Sequence, residues 1–217
     1  MLIIGLAGLA ILLALGNWQL RRLVWKEGIL AEIEARIYAE PVALPAQPDP
    51  EADKYLPVLL SGRIETGELH VLSATRDDGA GYRIIAPMLL EDGRRVLLDR
   101  GFVDDLDKDA PRQTGPADVT GNLLWPDDRD AYTPEPDLGR NIWFSRKAEP
   151  MAEALNTEPV LVVARTPTDP NILPIPVGTD HIKNDHMQYA LTWFSLALVW
   201  AAMTAYFLWR TRAKPEG

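Results

Sequence analysis

Two uncharged, proline-free stretches, Leu2 to Leu20 and Met187 to Trp209, flank the polar part of this chain. At about 1.5 Å of rise per residue each reaches roughly 30 Å, the thickness of a bilayer's hydrocarbon core. That layout predicts a membrane hairpin: two transmembrane α-helices anchoring one extramembrane domain. The first stretch has a rival reading, because Ala14-Leu15-Gly16 offers the small residues of a signal-peptidase site. A secretory leader also carries basic residues ahead of its apolar run, and Met1 to Ile4 carries none, so a retained anchor is expected. Trp18 and Trp25 are the amphipathic residues expected at a membrane boundary.

Charge does not settle orientation. Arg210, Arg212 and Lys214 behind the second span argue for a cytoplasmic C terminus, whereas Arg21, Arg22 and Lys26 behind the first argue the opposite. An even number of spans places both termini on one side. Glu27 to Asp185 holds 30 acidic against 16 basic side chains, a balance of −14, so the acidic charge belongs to the extramembrane domain. Such a surface repels nucleic acid and anionic headgroups and favours cationic protein partners. With no cysteine in its 217 residues the chain forms no disulfide, thiolate metal site, iron–sulfur cluster or covalent c-type haem link. Nor does it carry a glycine-rich phosphate loop, a nucleophile elbow or a zinc-protease helix motif. Enzymatic function starts without support.

The pattern divides the chain into a first transmembrane helix over residues 1–22, a helical extension over 23–40, a β-rich domain over 41–185, a second transmembrane helix over 186–209 and a tail over 210–217. The extension rests on Trp25, Ile29, Ile33 and Ile37 recurring every four positions, with Glu32 and Arg36 spaced as an exposed pair. Pro41 to Pro50 and Pro167 to Pro176 read as extended connectors. Between them lie seven runs of strand-forming residues: Tyr55 to Ile64, Glu68 to Thr75, Tyr82 to Leu90, Arg94 to Val103, Val119 to Trp125, Asn141 to Arg146 and Val160 to Ala164. Glu91-Asp92-Gly93 reads as a hairpin turn, Val103 to Ala117 and Pro126 to Arg140 as loops, and Glu149 to Leu155 as one short helix. Strands without alternating helices predict a mostly antiparallel β domain, sandwich or barrel-like.

Three histidines are available for chemistry. His70 falls in a predicted strand, where an ordinary sheet role is expected, and His181 in a polar loop, where it is solvated. His186 opens the second span, with Asp185 as N-cap and Gln188 three residues later in the manner of a capping box. Tyr189, Trp193 and Trp200 follow at helical spacing as an aromatic stripe. Such stripes usually pack a neighbouring helix or sit in the interfacial belt, and Arg21 and Arg22 taken singly read as residues snorkelling to headgroups. Taken together, however, Trp18, Arg21, Arg22 and Trp25 reach the depth of His186 by hairpin geometry. An imidazole ligand, flat aromatic walls and guanidinium groups for propionates suit a haem.

The chain also resembles a known family. Gly16, Trp18-Gln19-Leu20, Arg22 and Trp25-Lys26 look like the first-helix signature of the surfeit-locus family of cytochrome c oxidase assembly proteins. The likeness continues through Gly81-Tyr82-Arg83, Leu98-Asp99-Arg100-Gly101-Phe102-Val103, Asn141-Ile142-Trp143-Phe144 and Glu158-Pro159-Val160. It ends in Asn184-Asp185-His186-Met187-Gln188-Tyr189-Ala190-Leu191-Thr192-Trp193-Phe194, the most specific motif. Phe102 stands where the family commonly has tryptophan, and Asp185 where it often has asparagine. The resemblance implies a two-pass protein of the inner membrane, with a periplasmic domain in bacteria and cytoplasmic termini. It implies a non-enzymatic factor that binds haem a transiently and helps supply it to the oxidase's catalytic subunit, with room for a contact with the haem a synthesis machinery. The family's haem-linked histidine falls on His186, which makes His186 the metal ligand, with Arg21, Arg22, Trp18, Tyr189 and Trp193 as cofactor-binding residues beside it. Membrane lipid is an expected partner, nucleic acid is not. A haem-free scaffold that stabilises an assembly intermediate is the alternative, and a haem-modifying enzyme ranks last. Bottom-up, Asp99-Arg100-Gly101 reads as a buried ion pair at a strand end followed by a glycine needed for a bulge or turn.

Overall fold

The structure, a computed structural model, describes residues 2–75, 79–180 and 182–212. Two compact units emerge, one holding the chain up to Ile33 and from Thr179 onward, the other Glu34–Gly178. Two long apolar helices, α1 (Leu2–Ile37) and α3 (His186–Arg212), are long and apolar enough to cross a membrane. The helical extension expected through residue 40 is the unbroken continuation of α1, and it stops at Ile37. Its end has a local cause. Pro41 disfavours helical backbone at the residue before it, and the Asn122 amide nitrogen donates to the Ile37 carbonyl at 3.0 Å, supplying a partner that the next turn would have given. Arg36, expected to pair with Glu32, donates instead to the Ala52 carbonyl.

Among the described residues the second unit carries eight strands: β1 (Val42–Ala43), β2 (Pro57–Ile64), β3 (Leu69–Thr75), β4 (Gly79–Leu90), β5 (Arg95–Asp104), β6 (Gly115–Leu124), β7 (Ile142–Trp143) and β8 (Leu161–Ala164), with the short helix α2 (Ala148–Leu155) before β8. The sheet order β1-β2-β6-β8-β5-β4-β3-β7 closes on itself, because β2 also pairs with β4. Five strands, β2, β6, β8, β5 and β4, thus form a small barrel. This settles the sandwich-or-barrel alternative, and the sheet is mostly antiparallel, as the strand pattern predicts. The pairing that shuts the barrel runs from Gly62 opposite Leu90 to Ile64 opposite Met88. A side chain at Gly62 would begin only 2.2 Å from the Leu89 carbonyl oxygen, so closure depends on a residue without Cβ there.

Alternating residues of the five strands fill the barrel: Val58, Leu60 and Ile64, Ala86 and Met88, Val96 and Leu98, Val119 and Leu123, Val162 and Ala164. The other face of β4, β5 and β8 packs Ile85, Leu97 and Leu161 under Trp143 and the apolar side of α2, Ala148, Met151 and Ala152. Strand β5 is therefore covered on both faces, and its residues are buried without a break from Val96 to Val103 rather than in alternation.

Both expected connectors turn out to be tied to the sheet. Pro41 to Pro50 is not wholly a connector, since Val42 and Ala43 add a parallel edge to β2. Pro167 to Pro176 is not a free link either: Leu173 bridges Phe102 in β5, Ile172 is buried, and Asp169 is 4% exposed. Buried charge fastens this return segment. Arg100, 1% exposed, donates to the Thr168 hydroxyl at 2.9 Å, the Thr168 carbonyl at 3.1 Å and the Gln113 carbonyl at 2.9 Å. Arg83 donates to the Ile175 carbonyl at 3.1 Å and to Asp99 Oδ2 at 2.7 Å. The Asp99-Arg100-Gly101 triplet does hold a buried ion pair and a glycine at a special conformation, but Asp99 pairs with Arg83 instead of its neighbour. Gly101 stands within β5 instead of at its end, with φ +122° and its missing side chain facing the Leu173 carbonyl oxygen at 2.2 Å.

Candidate functional site

Within the first unit α1 and α3 run antiparallel in direct contact. A Cβ at Gly5 would meet the Thr204 side chain, one at Gly8 the Trp200 ring and one at Gly16 the Phe194 ring, all at under 3 Å. Small residues at helical spacing thus bring the backbones close, and where lipid is as apolar as their side chains such packing and interhelical hydrogen bonds hold two helices together. The Trp200 indole nitrogen donates to the Gly5 carbonyl at 2.8 Å. Trp200 is therefore a packing residue of the helix pair, which splits it from the expected aromatic stripe.

At the other end of the same seam α3 begins. Asp185 occupies the N-cap position, its carbonyl accepting from the Tyr189 N–H at 3.1 Å. His186 follows, half-buried, with Nδ1 2.7 Å from the amide oxygen of Gln19. Because an amide oxygen only accepts, Nδ1 donates in this pair, and in the neutral ring the lone pair is then on Nε2. A neutral imidazole with one nitrogen engaged and the other basic has the donor chemistry a haem iron takes. Lys26, two turns beyond Gln19, donates to the Lys183 carbonyl ahead of α3.

The remaining predicted site residues sort by their angle around the helices. At about 100° per residue, Arg22 and Trp18 fall about 60° and 100° to one side of Gln19, whereas Arg21 falls about 160° away, on the side of α1 turned from α3. Tyr189 and Trp193 fall about 60° and 20° to one side of His186. In antiparallel helices of the same hand these offsets lie on one flank. Trp18, Arg22, His186, Tyr189 and Trp193 thus share a flank, and Arg21 does not. Trp18 is 50% exposed and Tyr189 55%, so both rings remain open to a ligand or to lipid. The Arg22 guanidinium sits 4.1 Å from the centre of the Trp25 ring, held as a cation–π pair. An apolar depression at the far end of the hairpin, between Ile4, Trp200, Met203 and Phe207, contains no histidine and no charge and lies about 26 Å from His186 along α3.

His70 is an ordinary buried sheet residue on β3, its Nε2 2.9 Å from Glu68 Oε1, which also pairs with Arg112 at 2.8 Å. His181 lies outside the described residues. Among the described residues no cluster of three metal-ligating side chains occurs. Gln19 is the residue that sequence reasoning did not assign a role. A buried amide inside an apolar span is itself a signal, since polar groups at membrane depth require a partner.

These features define a class: a membrane protein in which a helical hairpin carries a small closed β domain and one imidazole at the hairpin seam. The chain belongs to the SURF1 family, whose family model matches residues 6–198. It is similar to surfeit locus protein 1 of Rattus norvegicus, 31% identical over 222 residues covering 90% of this chain and 70% of that protein. The Homo sapiens surfeit locus protein 1 is 31% identical over 221 residues, covering 90% of this chain and 71% of its own. A SURF1-like protein of Dictyostelium discoideum is 25% identical over 234 residues, at 84% and 87% coverage.

Proposed function

We propose that this chain is a non-enzymatic assembly factor of a haem-copper cytochrome c oxidase that holds haem a at its membrane hairpin and assists delivery to the catalytic subunit. The observation that carries the reading is the bond from His186 Nδ1 to Gln19, which in the neutral ring leaves Nε2 as the acceptor. When bound, haem a supplies an iron that takes a nitrogen lone pair and a flat apolar ring bearing carboxylates. His186 Nε2 would hold the metal. Trp18, Tyr189 and Trp193 offer aromatic surface on the same flank. Arg22 is placed to meet a propionate, and Arg21 reaches headgroups or a second propionate only from the outer side. A single ligand without a covalent link permits release, which a delivery role requires.

The reading extends to location and partners. It places the chain as a two-pass protein of the inner membrane, with the β domain periplasmic and both termini cytoplasmic. The oxidase's catalytic subunit is its recipient, and the haem a synthesis machinery is the donor this reading admits. A haem-free scaffold is the second reading, and the packing of Trp200 on Gly8 favours it, because part of the aromatic stripe already serves helix contact.

The deciding test is the visible spectrum of the full-length protein purified in detergent from cells that make haem a, native and His186→Ala. A haem a band in the native protein and its loss from a folded His186→Ala variant supports the carrier. Absence from both favours the scaffold, and an unchanged band in the variant shows that His186 is not the ligand.

A further inference from the structure

Gln19 is the feature of the hairpin that helix packing does not explain. It is 9% exposed, on a seam otherwise lined by Gly5, Gly16, Leu23, Ala190 and Ala197. Burying an amide at membrane depth is costly unless it is hydrogen-bonded, and a leucine there would serve packing better. The partner it has is Nδ1 of His186, across 167 positions of sequence.

We infer that Gln19 is a positioning residue for the His186 ligand: its amide oxygen accepts Nδ1–H, fixes the tautomer and rotation of the ring, and reserves Nε2 for the metal. This rests on the haem-carrier reading and deepens it. Three observations converge. The contact, at 2.7 Å, is short for a hydrogen bond between neutral groups, and by helical angle Arg22, Tyr189 and Trp193 fall on one flank beside it. The imidazole sits in the first residue of α3, where a side chain has no helical turn before it to restrict its rotation. The amide supplies that restriction from the facing helix. Outer partners of this kind set the orientation of metal-bound histidines and raise their donor strength.

Two measurements on the full-length protein in detergent test the role. The first uses haem-free protein labelled with ¹⁵N-histidine. The native chain is expected to show His186 as a single Nδ1–H tautomer, and Gln19→Leu to lose it. The second uses protein from cells that make haem a. Gln19→Leu is expected to lower haem affinity by about 10- to 100-fold. Gln19→Glu keeps the haem but moves its midpoint potential downward, since a carboxylate makes the imidazole a stronger donor and favours the oxidised iron. A merely structural amide would not move a potential. A native His186 protonated on Nε2, or a folded Gln19→Leu protein with native affinity, overturns the role of Gln19 and leaves the carrier reading standing. If Gln19→Leu fails to fold, an unchanged potential in Gln19→Glu overturns it instead. A native protein that carries no haem overturns both.

Discussion

Arg83 Nε lies 2.7 Å from Asp99 Oδ2, and the two side chains meet between neighbouring strands with the carboxylate fully enclosed. The second oxygen of Asp99 accepts from the Gly101 N–H at 3.2 Å, so one carboxylate both neutralises a buried guanidinium and holds the bend of β5. Removing Asp99 strands the Arg83 guanidinium, and removing Arg83 leaves the Asp99 carboxylate only the Arg146 guanidinium at 3.9 Å. Asp99→Asn or Arg83→Met is expected to cost about 3–5 kcal/mol. Arg83→Met combined with Asp99→Leu should be less damaging than the sum of the singles. Denaturant unfolding of the full-length protein, followed by tryptophan fluorescence, measures both.

Gly101→Ala should destabilise by about 1–3 kcal/mol from backbone conformation alone. The added methyl also meets the Leu173 carbonyl oxygen, so the bridge between Leu173 and Phe102 opens. Limited proteolysis should then cut near Leu173 faster than in the native protein. Equal rates would show that the bend tolerates a side chain.

The Asp169 carboxyl titrates below its usual range. Burial pushes it up, but the backbone N–H groups of Gln113 and Asn171, helped by the Arg100 and Arg112 guanidiniums, overcome that and hold it down. A carboxylate lowered by folding stabilises the native state fully above its unfolded value of about 3.9, and that contribution is lost as pH falls through the lower folded value. Unfolding free energy is thus expected to drop on acidification below about pH 4, and Asp169→Asn to flatten that slope while lowering stability at neutral pH. A pH series of melting curves for both proteins gives the comparison.

The two arginines of the first span separate by direction. Arg22 shares the flank of His186 and Arg21 does not, so Arg22→Ala should weaken haem a retention more than Arg21→Ala, by about 1.5–3 kcal/mol if a charged hydrogen bond is lost. Haem titration of the two purified variants reads the difference. Equal losses would place the propionates elsewhere.

Much of this architecture was legible because it is local. The hairpin Glu91-Asp92-Gly93 announces itself through turn chemistry, and Gly93 indeed sits at φ +89° between β4 and β5. The two spans and α2 follow from apolar length and period. What the sequence hides is long-range. Nothing near Asp99 points to Arg83, sixteen positions earlier, as its partner. Barrel closure hangs on the bare backbone of Gly62 approaching Leu89. At the candidate site His186 stood out as a lone imidazole at a span's edge. Gln19 sat unremarked in an uncharged run, since an amide carries no charge to interrupt it.

The closed ring of strands has a further consequence. An open sheet offers its outermost strand as a template, and proteins confined to a membrane plane meet one another often. Here, among the described residues, the sheet ends in the two-residue strands β1 and β7, each too short to recruit a neighbour's strand in register. Strand β7 covers only His70 and Val71 of β3, so the border left for such recruitment is the short outer part of β3 beyond Val71. The ring itself adds no long edge to it, whatever density the domain reaches.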